Sequence, residues 1–194
     1  MSQFVDHKLK LTYEDLRQIP EGDPYLHEII DGVHIAAPSP TYGHQRISKA
    51  IFLQLHREIE VAGHGEVLYA PMDTEIGPHD ILEPDILVIL NHNREIIKPS
   101  HIVGAPDLVV EILSPSTEWR DRGVKLERYG LHGVPEYWVV DGEGEVVEVY
   151  RQFSDEEPTA LQFVGRYHDR LSYSSARASV RIEVSVNLFE VWKR

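Results

Sequence analysis

The chain has no cysteine. Its absence excludes disulfides, thiolate metal sites and cysteine nucleophiles, and it suits a reducing compartment. No apolar run approaches the roughly 20 residues that a membrane-spanning helix needs, so no membrane partner is expected. The N-terminal stretch MSQFVDHKLKLTYEDL lacks the apolar core of a signal peptide, and these absences together lead to the expectation of a cytoplasmic protein. Cations are scarce as well. Lys and Arg number 19 against 32 Asp and Glu, a formal net charge of −13. That balance argues against broad nonspecific coating of nucleic acid, although a local basic patch remains compatible with it. There are 11 histidines, but none forms HExxH or another tight ligand spacing. His64, His79, His92, His101 and His132 sit in turn-like segments, where solvation is the simplest expectation.

What is present is an ordinary globular balance. The chain has 194 residues, 42% hydrophobic and 26% charged, enough for one domain with a sizeable core. Its organising stretch is Asp107 to Tyr129, DLVVEILSPSTEWRDRGVKLERY, which reads as a buried strand, a Ser-Pro-Ser turn and a polar helix. Leu108, Val110 and Ile112 share one strand face, and Val109, Glu111 and Leu113 share the other. Both faces are apolar except at Glu111, and an unpaired buried carboxylate costs several kcal/mol or more. Asp121, Lys125 and Tyr129 recur at i, i+4 and i+8 on the following helix, so Lys125 can supply the missing cation. Gly123 and Gly130 fall inside this helix at a cost of about 1 kcal/mol each, which suggests close packing against a sheet.

Upstream, Thr12 with Asp15 makes a capping box for a short helix from Leu11 to Ile19. YLHEIIDGVHIAAP reads as a hairpin about an Asp31-Gly32 turn, with Glu28 on its first strand. Ser39-Pro40-Thr41 offers an N-cap and a proline at the first helical position. A helix to about Ala62 follows, burying Ile47, Ile51, Leu55 and Ile59. GEVLYAPMDTEI reads as one or two strands broken near Pro71, and EPDILVIL as a buried strand. EYWVVD and EVVEVYR form a further hairpin. LQFVGRY and VRIEVSVNLFEVW read as strands. The order indicates an α/β domain with an antiparallel extension.

Asp85 and Glu111 at the ends of adjacent strands, with Lys125 nearby, suit a metal-assisted hydrolase. Two carboxylates hold a hard cation such as magnesium through oxygen, and the cation activates water and offsets phosphate charge. Lys125 then acts as a point cation toward the phosphate. An equally simple reading is a buried Glu111–Lys125 ion pair with Asp85 capping a loop. Pro106-Asp107 is a rival to Pro84-Asp85, but Asp107 and Glu111 lie ~13 Å apart along one strand, too far to share one ion. Glu83 shares a side with Asp85 and could assist it, but a solvated strand-end acid is its simpler reading. Ser114 and Ser116 flank Pro115, where phosphate contact or, for Ser116, helix capping is expected. Arg120, Arg122 and Arg128 are read as surface salt-bridge partners of Glu118 and Glu127, or else as contacts to phosphate.

EIIDG at 28–32, PSPTYGH ending at His44, EPDILVI at 83–89, DLVVEILSPST at 107–117, DRGVKLERY and GVPEYWVVD at 133–141 together resemble the Uma-two family. This bacterial endonuclease family lies in the PD-(D/E)xK, restriction-endonuclease-like superfamily. The resemblance runs from about Leu11 to Arg151. It implies that Pro84-Asp85 matches the superfamily's PD, that Glu111 is its second acid, and that Lys125 is the migrated lysine, since Leu113 occupies the usual lysine position. It also makes Glu28 a further acidic site residue and His44 a lesser candidate; from the residues themselves, Ser114 is a candidate phosphate contact, and Tyr129 is read as a core residue whose hydroxyl could lie near the site. The implied fold is a mixed β-sheet core flanked by helices, with extra N- and C-terminal β-hairpins, in one domain over 1–194 (core about 11–151, β extension 152–194). The implied function is magnesium- or manganese-dependent hydrolysis of DNA phosphodiester bonds by a homodimer. The alternative is a catalytically degenerate module of the same fold that binds nucleic acid or protein.

Overall fold

The computed structural model describes residues 9–20, 22–153, 160–175 and 182–193. After helix α1 (Tyr13–Leu16), the hairpin β1 (Leu26–Ile30) and β2 (Val33–Ala37) turns at Asp31 and Gly32. Both turn residues have positive φ, 50° and 78°, the geometry that a two-residue hairpin requires and that Asp-Gly adopts readily. Helix α2 (Tyr42–Leu55) continues into a π-helical turn (His56–Glu60). Strands β3 (Gly65–Tyr69), β4 (Thr74–Gly77), β5 (Asp80–Leu82), β6 (Ile86–Leu90), β7 (Ile102–Val103) and β8 (Leu108–Ile112) follow. Helices α3 (Glu118–Asp121) and α4 (Val124–Leu131) lead into β9 (Glu136–Asp141) and β10 (Val146–Arg151). The chain then forms β11 (Gln162–Tyr167), β12 (Arg170–Ser175), β13 (Ile182–Asn187) and α5 (Leu188–Trp192).

Two larger sheets result. One runs β11-β10-β9-β8-β6-β3 and the other β2-β1-β5-β4-β7, while β12 and β13 pair separately. Both larger sheets are mixed, because β8 pairs parallel with β9 and β4 parallel with β7. The N-terminal hairpin is therefore built into the second sheet through β1–β5 pairing, whereas the C-terminal β12–β13 hairpin stands as its own ladder. No helix among the described residues is long and apolar enough to cross a membrane.

The alternation along β8 decides what each face meets. Leu108, Val110 and Ile112 pack with Ile47, Ile51, Leu55 and the β12–β13 hairpin. Val109 packs with Tyr129, Tyr137, Ile30 and Leu82 on the opposite side. Each fully buried aliphatic side chain contributes about 1.5–3 kcal/mol as an upper estimate, so both layers hold the strand in place. Glu111 shares the Val109 face and is directed into the second layer.

The tertiary structure departs from the sequence reading at several points. The polar helix expected after the Ser-Pro-Ser turn divides into α3 and α4 at Gly123, whose φ and ψ are −114° and −103°. A Cβ there would lie 2.6 Å from the Trp119 carbonyl oxygen. Close approach explains the glycine, but to the preceding turn and not to a sheet. Helix α2 is capped by Thr41, whose Oγ1 accepts from the His44 N–H at 3.3 Å; neither Ser39 nor proline at N1 is used. β13 ends at Asn187, whose side chain caps α5 by accepting from Phe189 N–H, so LFEVW is helical; residues 180 and 181 of the expected strand lie outside the described residues. β5, which the sequence reading missed, is three residues long, too short for a period to be legible.

Histidines expected in solvent are tied down. His132 Nε2 lies 2.8 Å from buried Asp80. His101 stacks on Tyr13 with ring centroids 3.9 Å apart, His92 faces Asp107, and His79 Nδ1 is 2.9 Å from the Leu11 carbonyl. Arg128 pairs with Asp80 rather than Glu127, and Arg120 is buried near Glu28. Arg122 does bridge Glu118 as expected, and it also reaches buried Glu148.

Candidate active site

Antiparallel pairing places Ile86 opposite Val110, so Asp85, one residue before β6, stands across from Glu111 where the ladder ends. Glu28 arrives from β1 in the other sheet, and Lys125 comes down from α4. Glu28, Glu111, Asp121 and Lys125 are each at most 5% exposed. Lys125 Nζ lies 2.7 Å from Glu28 Oε1, 2.9 Å from Glu111 Oε1 and 3.7 Å from Asp121 Oδ1. Tyr129, fully buried beneath the cluster, donates its hydroxyl to Glu111 Oε1 at 2.7 Å. Asp85 Oδ2 accepts from Ile112 N–H at 2.7 Å and faces His44 Nε2 at 3.1 Å.

These groups line a pocket of about 250 Å³ whose walls include Glu28, Glu83, Asp85, Glu111, Asp121 and Lys125. Buried Arg120 adds to the walls, and His44, Ser114 and Thr117 lie on its rim. The structure thus brings Asp85, Glu111, Lys125, Glu28, His44 and Ser114 to one pocket; Tyr129 reaches it only through Glu111. Ser114 Oγ is already within 2.9 Å of Thr117 Oγ1 and 3.1 Å of Ser116 Oγ. Thr117, not Ser116, occupies the N-cap position of α3, and it makes no side-chain capping bond.

The rival acid has a different job. Asp107 Oδ2 accepts from Leu90 N–H at 2.8 Å and Asn93 Nδ2 at 3.2 Å, satisfying backbone at the opposite end of the ladder. Three further side chains in or beside the pocket were not placed at its centre by the sequence reading. Asp121 carried a signal, its i, i+4 spacing to Lys125. Arg120 was read as a surface ion-pair partner or a phosphate contact, and nothing in its spacing signalled burial beside Glu28. Glu83, expected to be solvated, is half-buried, its backbone N–H donates to Glu28 Oε1 at 3.0 Å, and its Oε2 is buried without a hydrogen-bond partner.

Electrostatics follow from the surplus of acid. Glu28, Glu83, Asp85, Glu111 and Asp121 face Lys125 and Arg120, five carboxylates against two permanent cations. Burial pushes the Glu111 carboxyl well above the usual carboxylate range against the opposing pull of Lys125, and the charges of Asp121, Asp85 and Glu28 add to the rise. Burial likewise raises Asp121, despite Lys125 and a hydrogen bond from Thr117. Burial pulls Lys125 downward, but Glu111, Glu28 and Asp121 outweigh it and hold the ammonium well above the lysine range. For His44 the Asp85 hydrogen bond and charge overcome burial and raise the imidazole. Burial, then Asp73 and Glu28, pushes Glu83 up to about 8.

An all-oxygen donor set with excess negative charge suits a hard divalent cation. Hydrogen bonds converge on Asp85 Oδ2 and Glu111 Oε1, which leaves Asp85 Oδ1 and Glu111 Oε2 as the oxygens that could hold one. Among the described residues, however, no group of three or more His, Asp or Glu side chains is gathered as a ready-made metal cluster. Two protein oxygens plus water are compatible with magnesium, which keeps several waters when bound.

A family model described as "Uma2: Putative restriction endonuclease" matches residues 13–181. An uncharacterized protein of Synechocystis sp. (strain ATCC 27184 / PCC 6803 / Kazusa) is 27% identical over 177 residues, covering 90% of each chain. A solved structure from Anabaena variabilis ATCC 29413, described as "a putative nuclease belonging to DUF820", superposes with a TM-score of 0.68. It covers 94% of this chain and 97% of its own at 18% identity, a likeness that establishes the shared fold.

Proposed function

Since this chain belongs to the Uma2 family of restriction-endonuclease-like proteins, we propose that it hydrolyses phosphodiester bonds of DNA with a divalent cation at the pocket between its two sheets. The observation that carries this reading is the buried surplus of carboxylates over cations around Asp85 and Glu111 in a pocket open to solvent. Burying that charge without a counter-ion is unfavourable, and a divalent cation supplies the missing positive charge. Asp85 and Glu111 would hold the ion, magnesium or manganese, which when bound lowers the pKa of water and offsets charge on phosphate oxygens.

The chain's own residues then divide the remaining work. Lys125, kept protonated by three carboxylates, presents a fixed positive charge to an incoming phosphate, whose developing charge it stabilises without reorganisation. Glu28 and Tyr129 orient that ammonium and the Glu111 carboxylate from opposite sides. His44 holds Asp85 from the α2 side. Ser114 on the rim and Arg120 in the wall offer hydrogen bonds to the flanking backbone.

A second reading draws on one observation. Lys125 already bridges Glu28 and Glu111, as a purely structural ion network would, and the fold then serves as a binding module without turnover. Incubating purified protein with linear and circular DNA in magnesium, manganese or chelator separates the two. Metal-dependent cleavage that disappears in Asp85→Ala supports the nuclease. Absence of cleavage in every metal, with protein shown to be folded, sinks it in favour of the binding module.

A further inference from the structure

Outside the pocket, the outer face of α2 carries aromatics and cations together. Tyr42 is 84% exposed and Tyr69, on the neighbouring edge strand β3, is 60% exposed. Phe52 lies edge-on to Tyr69 with ring centroids 4.9 Å apart. With Arg46, Lys49 and Leu53 these rings line a groove of about 410 Å³. No acidic side chain lines it, although the chain as a whole carries 13 more acids than bases. Lys49 is exposed and makes no ion pair among the described residues. Arg46 is fixed by donating to the Val191 and Lys193 carbonyls, which keeps its charge without neutralising it.

The groove joins the active-site pocket over a continuous surface. Tyr42 and Arg46 also line an intervening cavity of about 610 Å³, whose other walls include His44 and Ser114 on one side and the carboxylates Glu118, Asp141 and Glu143 on the other; His44 and Ser114 belong to the pocket rim. From Tyr42 to Phe52 the helix rises about 15 Å at 1.5 Å per residue. That length accommodates about four stacked nucleotides at 3.4 Å each.

We propose that an unpaired stretch of the nucleic-acid substrate leaves the pocket along this face of α2, its bases stacking on Tyr42 and Tyr69 and its phosphates meeting Lys49 and Arg46. The inference rests on the nuclease reading above and gives it a substrate class, DNA with a single-stranded segment. Three arguments favour this occupant. Exposed rings offer stacking to any base but only when the base faces are free, and in a duplex they are hidden. Two unneutralised cations in an acidic chain complement phosphate and not another copy of the same acidic surface. So short a basic stripe contacts few phosphates, whereas a long duplex would meet the surrounding negative charge.

The test is fluorescence anisotropy with a short labelled single strand and the matching duplex, in calcium to offset the pocket carboxylates, on wild type, Tyr42→Ala, Tyr69→Ala and Lys49→Glu. All three sites are exposed, and thermal melts confirm folding. The wild type is expected to prefer the single strand, and each Tyr→Ala change to weaken it about tenfold. Lys49→Glu is expected to weaken binding and to make the salt dependence shallower by about one phosphate contact. Equal affinity for strand and duplex, no binding by the wild type, or unchanged affinity in the variants overturns the path. Light scattering on the same samples adds a further outcome. If the tyrosine variants dissociate a dimer while DNA affinity stays constant, the face belongs to a second copy and the proposal is overturned. Cleavage of the same oligonucleotides in manganese, read in parallel, keeps the two claims separate. Cleavage without the binding effects removes only the path, and binding effects without cleavage remove only hydrolysis.

Discussion

Lys125 Nζ lies 2.9 Å from Glu111 Oε1, although one residue is on a helix and the other on the central strand 14 positions earlier. Both are buried. Breaking a buried pair leaves an uncompensated charge and is strongly destabilising, whereas the intact pair adds little net stability. Here the same ammonium also neutralises Glu28, so the pair joins the two sheets as well as closing the pocket.

Lys125→Met is therefore expected to lower the unfolding free energy by about 3–5 kcal/mol in chelator, measured by urea denaturation. Cleavage should fall by at least about 100-fold, because a fixed donor at developing charge contributes that much. If stability drops but turnover persists once protein is kept folded at low temperature, Lys125 is an ion-pair partner only.

Divalent metal should raise the melting temperature, because a cation bound only by the folded state stabilises it by about 2.7 kcal/mol at 100 times its Kd. Glu111→Gln removes one of the two proposed ligands and should abolish most of that response. Differential scanning calorimetry with and without millimolar manganese reads both, and a flat wild-type response counts against the metal site.

Asp80 carries a separate acid-linked contribution to stability, outside the pocket lining. Burial raises its carboxyl, but hydrogen bonds from Arg128, the Asp31 N–H and His132 outweigh it and leave the pKa below its usual 3.8. A carboxylate depressed in the folded state stabilises above its unfolded pKa and loses that contribution as pH falls through the folded value. Asp80→Asn should cost about 3 kcal/mol near pH 7, and the gap between variant and wild type should close below about pH 4. Thermal melts from pH 7 down to pH 3 check it; a constant gap would mean the loss is one of packing.

Asp107→Ala tests the rival acid. Its carboxylate accepts from Leu90 N–H and Asn93, so truncation should destabilise by about 1–3 kcal/mol for orphaned buried donors. Cleavage rate and metal response should stay within about twofold of wild type under folded conditions. Loss of the metal response in a folded Asp107→Ala protein would mean that the wrong Pro-Asp has been placed at the site.

Much of the core was legible because it rests on local periodicity. The two-residue alternation of β8 told which face would carry Glu111, and the four-residue spacing of Asp121, Lys125 and Tyr129 told which residues could meet it. The Asp31-Gly32 turn, the Thr12 capping box and the burial of Ile47, Ile51, Leu55 and Ile59 are likewise set by residues near one another in sequence. The resemblance to the Uma-two family ordered the motifs and added Glu28, which no spacing indicated.

Tertiary structure alone decided which distant elements meet. Glu28 reaches Lys125 because β1 joins β5 in a second sheet, and His44 reaches Asp85 because α2 packs on the β8 face that carries Ile112. Glu83 and Arg120 look like surface residues in sequence; Glu83 becomes half-buried and Arg120 buried only when those layers close. Burial, and with it the raised proton affinity of Glu83, Glu111 and Asp121, depends on how the sheets and helices enclose a side chain. That enclosure is non-local, and no window of sequence contains it.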